Sequence, residues 1–257
     1  MKQQPNEVLP LRKSLIIVPV LNEVTGVEAL LEHLKQFQVD LLFIDDHSTD
    51  GTIELIRAAV LRNPQRYFLL ERPCKMGFGT ASITGFKWAL ARGYERILEM
   101  DGDYSHDPDD VPRLLAAAED YDLAIGSRYL GGVRVRNWPL IRLALSVGAG
   151  YYVRAITGLP LRDPTSGFKC FRREVLDSLA LDEIHSNGYS FNIEMNYRTW
   201  MSAFSLVEIP IVFTERKGGQ SKMSSAIVIE AVWRVWAFTL AKGFRRSPEG
   251  RDPKALN

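Results

Sequence analysis

Two carboxylates, Asp101 and Asp103, stand one residue apart in "ILEMDGDYSHDP", directly after an apolar run that ends at Met100. Like charges this close raise each other's pKa, so the pair implies a compensating positive charge. Mg²⁺ and Mn²⁺ prefer carboxylate oxygens and commonly share their sites with substrate phosphates. The pair therefore predicts a divalent cation site at the end of a buried strand.

Two further apolar runs also end in acidic residues. Glu23 follows "VPVLN", and Asp45 and Asp46 end the run "LLFIDD". If these strands are parallel, their carboxyl ends meet at one edge of the sheet, where α/β proteins bind their ligands. Three acidic strand ends at one edge favour a binding site over three unrelated loop acids.

Basic residues in the second half suit a phosphate ligand. Arg128 follows the fifth apolar run in "GSR", and Arg142 and Ser146 lie four apart, on one face of a predicted helix. An arginine with a hydroxyl one turn away can bind a phosphate oxyanion. Arg216 and Lys222 flank the Gly-Gly pair of "ERKGGQSK", which is typical of a mobile loop that carries cations over a phosphate. The alternative interpretation of Arg142 is an ordinary surface arginine, and that of the Gly-Gly segment is an exposed hinge.

The elements that must position these residues alternate between short apolar runs and helical patterns. Strands are predicted at 14–20, 40–46, 66–71, 96–100 and 122–126. The alternation implies a mostly parallel sheet flanked by helices. The second half is predicted to contain a helix at 138–158, a loop "RDPTSGFKCF", a helix near 189–202, a strand in "SLVEIPIVFTER" and a helix from about 224 to 244.

The predicted domain organisation is one α/β domain with a C-terminal extension. Its parts are an N-terminal tail at 1–13, the α/β domain at 14–223, an amphipathic helix at 224–246 and a polar tail at 247–257. The helix "AIVIEAVWRVWAFTLAKGFRR" combines two tryptophans with a basic end, a pattern typical of a helix lying in a membrane interface. A helix packed in the core is the alternative.

Composition excludes several classes of protein. The 257 residues are 46% hydrophobic and 25% charged, with a net charge of +1, so no overall field favours nucleic acid. The two cysteines cannot form a disulfide framework, which favours a reducing compartment. The first residues do not resemble a signal peptide, and no segment reaches the ~18 apolar residues of a membrane span. The expected location is therefore cytoplasmic.

Several motifs, taken together and in order, resemble the dolichyl-phosphate or polyprenyl-phosphate mannose synthases. They are "VPVLNE", "IDDHSTDGT", "KMGFGTA", "MDGDYSHDP", "IGSR", "TSGFKCF" and "SNGYSFNIEM". The resemblance runs from about Ser14 to Trp236 and implies an inverting, metal-dependent glycosyltransferase of family 2 with the GT-A, or nucleotide-diphospho-sugar transferase, fold. It implies Mg²⁺ or Mn²⁺ as cofactor and transfer of a hexose, mannose from GDP-mannose, to a polyprenyl or dolichyl monophosphate. The expected partners are these two substrates and the cytoplasmic face of a membrane. A membrane-protein partner is a further possibility that the resemblance leaves open.

The resemblance also implies roles for individual residues. The donor would be bound by Pro19, Leu21, Glu23, Ile44, Asp46, Lys75, Asp101, Gly102, Asp103, Arg216 and Lys222. The metal would be held by Asp101, Asp103 and Ser105. The lipid phosphate would be bound by Arg128, Arg142 and Ser146, and the catalytic residues would be Asp103, Arg128 and Arg142.

Other functions remain open at this stage. A UDP-glucose-dependent transferase is the first alternative. A phosphohydrolase with an aspartate nucleophile fits "DGDYS" loosely, although that motif normally ends the first strand. A dinucleotide oxidoreductase lacks its third glycine, because Ser82 stands there. A sugar-nucleotide sensor without activity is the last alternative. Glu194 is a candidate base by analogy alone, and His106 is interpreted as a loop histidine.

Overall fold

The computed structural model describes residues 13–215 and 233–240 and the backbone of 254–255. Arg216 and Lys222 lie outside the described residues, as do most of the predicted N-terminal tail, interface helix and polar tail.

The secondary structure elements follow the predicted alternation. The strands are β1 (Ser14–Val20), β2 (Asp40–Asp45), β3 (Tyr67–Glu71), β4 (Arg96–Glu99), β5 (Leu123–Ser127), β6 (Val135–Arg136), β7 (Lys169–Arg172), β8 (Leu206–Pro210), β9 (Phe213–Thr214) and β10 (Lys254–Ala255). The helices are α1 (Val24–Leu34), α2 (Thr52–Arg62), α3 (Phe78–Ala91), α4 (Val111–Ala117), α5 (Leu140–Thr157), α6 (Arg173–Ser178), α7 (Gly188–Met201) and α8 (233–240). Single-turn 3₁₀ helices lie at Pro108–Asp110 and Leu181–Glu183.

The predicted mostly parallel sheet is confirmed. Within the described residues its strand order is β10-β8-β5-β7-β4-β1-β2-β3, and β6 and β9 form a separate small ribbon. Every neighbouring pair is parallel except those that β7 makes with β4 and β5. The carboxyl ends of β1, β2, β4 and β5 therefore share one edge, as the acidic strand ends require.

The segment "RDPTSGFKCF" is a loop, as the sequence predicted, only over residues 162–168. Its last three residues belong to β7 (Lys169–Arg172), the antiparallel strand between β4 and β5, and Cys170 faces both Leu98 and Ala124 in the register. A four-residue strand has little propensity of its own. It forms because both of its edges are paired, so tertiary context decides its conformation.

Two apolar layers cover the faces of the sheet, because successive strand residues point to opposite sides. On one face, Ile17 and Ile44 pack with side chains from α3, α5, α7 and α8. On the other face, Ile16 and Phe43 pack with side chains from α1, α2 and α4. The layers hold the strands rigidly, so that the loops at the carboxyl edge are well positioned.

Helix α8 is the described part of the predicted interface helix. Val235 and Phe238 are buried in the core, and the ring of Phe238 lies 5.2 Å from that of Tyr197. Trp233 and Leu240 are exposed. One face of this turn of helix therefore packs in the core and another faces solvent. Among the described helices, none combines the length and the apolar character that a membrane crossing requires.

Candidate active site

A cleft of about 340 Å³ lies at the carboxyl ends of β1, β2 and β4. Nine of the predicted site residues line it: Pro19, Leu21, Glu23, Asp46, Lys75, Asp101, Gly102, Asp103 and Arg142. Residues from both halves of the chain thus meet at one place.

Four other predicted residues in the described part of the chain do not line this cleft. Ile44 is fully buried against α3, where its Cδ1 lies 2.9 Å from the position of a Cβ at Gly85. Ser105 and Arg128 are buried, and Ser146 lies further along α5. Direct contact of these four residues with a substrate or metal stays a prediction, as it does for the two residues outside the described part.

Close backbone packing fixes the turn that carries the acidic pair. A Cβ on Gly26, in α1, would lie 2.4 Å from the carbonyl oxygen of Gly102 and 2.7 Å from the Cα of Asp103. A Cβ on Gly102 would lie 2.7 Å from a methyl group of Val20. Only glycine fits at either position, so α1 and β1 press the turn into its conformation.

The acidic pair has a donor set that fits a hard divalent cation. Asp101 and Asp103 both line the cleft, and the backbone N–H of Ser105 donates to Asp103 Oδ1 at 3.1 Å. The buried hydroxyl of Ser105 has no hydrogen-bond partner among the described residues. Two carboxylates with a nearby unsatisfied hydroxyl offer the oxygen ligands that Mg²⁺ and Mn²⁺ prefer.

A second acidic group lies away from the cleft. The potential ligand atoms of His33, Asp107 and Asp109 lie within 4.8 Å of one another. The imidazole of His33 forms hydrogen bonds with the hydroxyl of Tyr104 at 2.7 Å and with Asp109 at 3.0 Å. These hydrogen bonds account for the cluster, and none of its residues lines the cleft.

His106 lies between β4 and the 3₁₀ helix at Pro108–Asp110, in a loop as the sequence predicted, and its side chain is buried beside Asp101. Its Nδ1 accepts a hydrogen bond from the backbone N–H of Asp101 at 3.3 Å, and its ring stacks on Phe168 at 4.7 Å. Burial lowers the pKa of His106 to about 4, so the ring is neutral at pH 7. It supports the backbone of Asp101.

Asp46 holds the loop that brings Lys75 to the cleft. Its carboxylate accepts a hydrogen bond from the guanidinium of Arg72 at 2.7 Å. It accepts two more from the backbone N–H groups of Met76 at 2.9 Å and Gly77 at 2.8 Å. Sequence reasoning missed Arg72, although its place directly after β3, beside the end of β2, is a usable signal.

Asn187 joins the N-termini of α3 and α7 at the cleft. Its side-chain oxygen accepts hydrogen bonds from the backbone N–H groups of Gly79 and Gly188, both at 2.9 Å. A Cβ on Gly77 would lie 2.1 Å from the amide nitrogen of Asn187. The two helices therefore cross closely, and Tyr189 is carried into the cleft wall.

Arg142 is the basic residue of α5 that reaches the cleft. It forms an ion pair with Glu215, and its guanidinium lies 4.3 Å from the centre of the Trp138 ring. Ser146, one turn further along, accepts a hydrogen bond from the hydroxyl of Tyr129 at 2.6 Å. Glu215 and Trp138 were not predicted, because nothing in the sequence spacing links them to Arg142.

Arg128 lies in a buried ion pair. Its Nε and Nη2 donate to the two oxygens of Asp163, each at 2.7 Å, and Nη2 also donates to the hydroxyl of Thr165. Its guanidinium lies 5.5 Å from the Trp138 ring centre. The ring of Trp138 therefore contacts two guanidinium groups, that of the buried Arg128 and that of Arg142 in the cleft.

Two buried ionisable residues face each other on neighbouring strands in the middle of the sheet. Glu99 on β4 faces Lys169 on β7, and both are fully buried. Burial raises the pKa of Glu99 to about 7 and lowers the pKa of Lys169 to about 8, although each charge favours the other. Sequence reasoning missed the pair because Lys169 fell in a predicted loop.

Glu194, the candidate base by analogy, is not among the residues that line the cleft. It forms an ion pair with Arg198 at 2.6 Å and accepts a hydrogen bond from the hydroxyl of Ser186. It is buried on α7 and lies in the part of the chain that the structure describes, but it is not a residue of the cleft lining.

A mostly parallel sheet of this topology, with an acidic pair after β4 at a cleft on its carboxyl edge, is the arrangement expected of glycosyltransferases with the GT-A fold. Comparison with known proteins agrees with this class. The chain belongs to glycosyl transferase family 2, whose family profile matches residues 15–180.

Two curated relatives cover most of the chain. It is 42% identical over 236 residues to the polyprenol monophosphomannose synthase of Mycolicibacterium smegmatis, covering 91% of this chain and 89% of that protein. It is 41% identical over 229 residues to the undecaprenyl-phosphate mannosyltransferase of Micrococcus luteus, and the match covers 88% of this chain and 94% of that protein.

The fold is similar to that of a solved structure. A mannosyltransferase from Pyrobaculum calidifontis, in complex with GDP-Man and Mn²⁺, superposes with a TM-score of 0.59 at 18% identity. The match covers 96% of this chain and 70% of that one. At this level of identity the similarity supports the GT-A fold.

Proposed function

We propose that this protein transfers mannose from GDP-mannose to a polyprenyl monophosphate, with inversion at the anomeric carbon. The observation that carries the proposal is that one cleft contains both the acidic pair, Asp101 and Asp103, and the arginine of α5, Arg142. An acidic pair suits a metal-bound diphosphate, and an arginine suits a second phosphate. The names of the two curated relatives support the same donor sugar and acceptor class.

On the donor side, Asp101 and Asp103 would hold Mg²⁺ or Mn²⁺. The cation would supply charge that stabilises the departing nucleoside diphosphate. Lys75, held over the cleft by the Asp46 loop, adds a positive charge, and Pro19, Leu21 and Glu23 form the wall for the nucleotide. Arg216 and Lys222 are proposed to close over the phosphates.

On the acceptor side, a general base is not needed. A phosphate monoester has its second pKa at about 6, so the acceptor is mostly ionised at neutral pH. Arg142 orients it, and a phosphate oxygen forms its bond to the anomeric carbon as the bond to the diphosphate breaks on the opposite face. The phosphate replaces Glu215 as the partner of Arg142.

A transfer assay tests this function. The protein is incubated with radiolabelled GDP-mannose or UDP-glucose, a short polyprenyl phosphate and Mn²⁺. Label from GDP-mannose is expected in the lipid product. Transfer from UDP-glucose alone would indicate a glucosyltransferase. Release of phosphate without a lipid product would indicate a phosphohydrolase, and binding of the nucleotide sugar without turnover would indicate a sensor.

Replacing Arg142 with alanine is expected to impair the acceptor side selectively. Loss of charge-assisted hydrogen bonds to the phosphate costs about 1.5–3 kcal/mol, so kcat/KM for the lipid phosphate should fall by roughly 10-fold to 150-fold. The affinity for GDP-mannose, measured by calorimetry, should be unchanged. Arg154→Ala is the matched control on the same helix, where Arg154 lies over the Tyr151 ring and outside the cleft lining. Equal losses in the two variants would contradict the role of Arg142.

We also propose peripheral association with the cytoplasmic face of a membrane, where the acceptor's lipid tail resides. Helix α5 exposes an apolar stripe that includes Leu140, Ile141, Leu145 and Tyr151. The surrounding segment 129–162 contains five arginines and no acidic residue. An apolar stripe among arginines is suited to anionic lipid headgroups.

The double variant Ile141→Glu, Leu145→Glu is expected to weaken binding to vesicles that contain anionic lipid. Each side chain contributes about 1.5–3 kcal/mol when buried in lipid, so binding in a cosedimentation assay should weaken by at least about tenfold. Both side chains are exposed, at 73% and 51%, so the fold should be unaffected. Leu61→Glu, at an 82% exposed position on α2, is the control. Unchanged vesicle binding in the double variant would remove α5 from the membrane contact.

A further inference from the structure

Asn192, on α7, is a buried amide with an unsatisfied atom at the cleft. It is 6% exposed and lines the cleft, and its side-chain oxygen has no hydrogen-bond partner among the described residues. A buried polar atom without a partner destabilises the folded protein. Such atoms are uncommon in native proteins, and one on a side chain that lines a binding cleft can be satisfied by a bound ligand.

The amide lies beside the acidic pair. A Cβ on Gly167 would lie 3.3 Å from Asn192 Nδ2, 4.0 Å from Asn192 Oδ1 and 3.7 Å from Asp101 Oδ1. The glycine therefore leaves a small space bounded by the amide and by a carboxylate of the acidic pair. A ligand group in this space would lie close to Asp101, one of the two carboxylates that would hold the metal.

The backbone that carries the amide is held from two sides. The buried ammonium of Lys169 donates to the carbonyl oxygen of Asn192 at 3.3 Å and to the side chain of Asn196 at 3.4 Å. Asn187 fixes the start of the same helix against Gly79. The position of Asn192 is therefore preorganised, which is what a specificity-determining residue requires.

The chemistry of the unsatisfied atom selects its ligand. An amide oxygen accepts hydrogen bonds and can also bind a cation, so its partner is a donor group or a metal. An ionised phosphate has only acceptor oxygens, whereas a sugar hydroxyl can both donate and accept. We propose that Asn192 binds a hydroxyl group of the transferred sugar and is a specificity-determining residue of the donor site. This inference rests on the proposed function.

Calorimetry with GDP-mannose and with GDP, both in Mn²⁺, separates a sugar contact from a general effect. Asn192→Ala is expected to bind GDP-mannose about threefold to tenfold more weakly than wild type, as one lost hydrogen bond predicts, with unchanged affinity for GDP. Thr199→Val is the control, because the Thr199 hydroxyl donates to the carbonyl oxygen of Met195 within the same helix and does not line the cleft. It should not change the ratio of the two affinities. Equal weakening of both ligands by Asn192→Ala, or no weakening, would overturn the proposal.

Deoxy donors test the same contact in the wild-type protein. The wild-type protein should bind one monodeoxy form of GDP-mannose about threefold to tenfold more weakly than GDP-mannose. The Asn192→Ala variant should bind that deoxy form and GDP-mannose with equal affinity. If every deoxy donor is still distinguished by the variant, the proposal fails. If the wild-type protein binds UDP-glucose and not GDP-mannose, the proposed function fails instead, and the comparison of UDP-glucose with UDP then tests Asn192.

Discussion

Replacing Asp103 with asparagine is expected to reduce transfer by at least about a thousandfold while the protein stays folded. The cation contributes several kcal/mol of charge stabilisation, and about 4 kcal/mol corresponds to three orders of magnitude in rate. Asparagine keeps the size of the side chain and its ability to accept from Ser105, so the turn should persist. Initial rates across a Mn²⁺ titration, with thermal unfolding of both proteins, provide the measurement.

The acidic group at His33 supplies a matched control for this experiment. Asp109→Asn also removes a carboxylate near a possible metal site, but outside the cleft. It should leave the Mn²⁺ dependence of transfer as in wild type. If Asp109→Asn abolishes transfer and Asp103→Asn does not, the catalytic metal binds at the His33 cluster and the proposed site at Asp101 and Asp103 is wrong. Full activity of the wild-type protein in excess chelator would exclude a metal from the reaction.

The second large effect concerns stability. Arg128→Met is expected to lower the free energy of unfolding by about 3–5 kcal/mol, because it leaves the fully buried Asp163 without its partner. Urea unfolding measures this loss. Arg57→Met, which removes a similar arginine–carboxylate pair at the surface, should lose much less, because solvent screens that pair with Glu71. If Arg128→Met has the same urea midpoint of unfolding as wild type but a higher KM for the lipid phosphate, the result would instead support Arg128 as a phosphate ligand.

The same pair predicts sensitivity to acid. Burial acts to raise the pKa of Asp163, but the charge and hydrogen bonds of Arg128 and its neighbours outweigh it and hold the pKa below its usual value. A carboxyl group whose pKa is lower in the folded state stabilises the protein above its unfolded pKa of about 3.9. The contribution is therefore fully present at neutral pH and is lost as the pH falls below about 4. Asp163→Asn should flatten this part of the stability profile.

The acidic strand ends could be predicted from the sequence because the signal is local. A buried apolar run followed by an acidic residue, as at Asp46 and Asp101, needs only the parallel topology to place its side chain at the common edge. The strand–helix alternation supplies that topology. Fold class and the donor half of the cleft therefore follow from short segments of the chain.

The other side of the site depends on contacts between distant segments. Arg128 and Asp163 meet through the turn before β7, and the ion pair of Arg142 with Glu215 crosses from α5 to the end of β9. No periodicity encodes such partners. Asn192 was missed for a related reason, since a helical asparagine looks like a surface residue until its neighbours are known. The strand β7 escaped prediction because its stability comes from the strands on both of its sides.

The central position of β7 also has a consequence for synthesis on the ribosome. β1 to β4 pair with one another and only β4 of them also pairs with β7, whereas β5 pairs with β7 and β8 and, within the described residues, with no earlier strand. The buried, apolar β5 therefore leaves the exit tunnel long before its partners, which are added only after the whole of α5 has been made. During that interval the nascent chain exposes the open edges of β4 and β5, the kind of surface that aggregates. A chain ending before β7 would keep those edges permanently open.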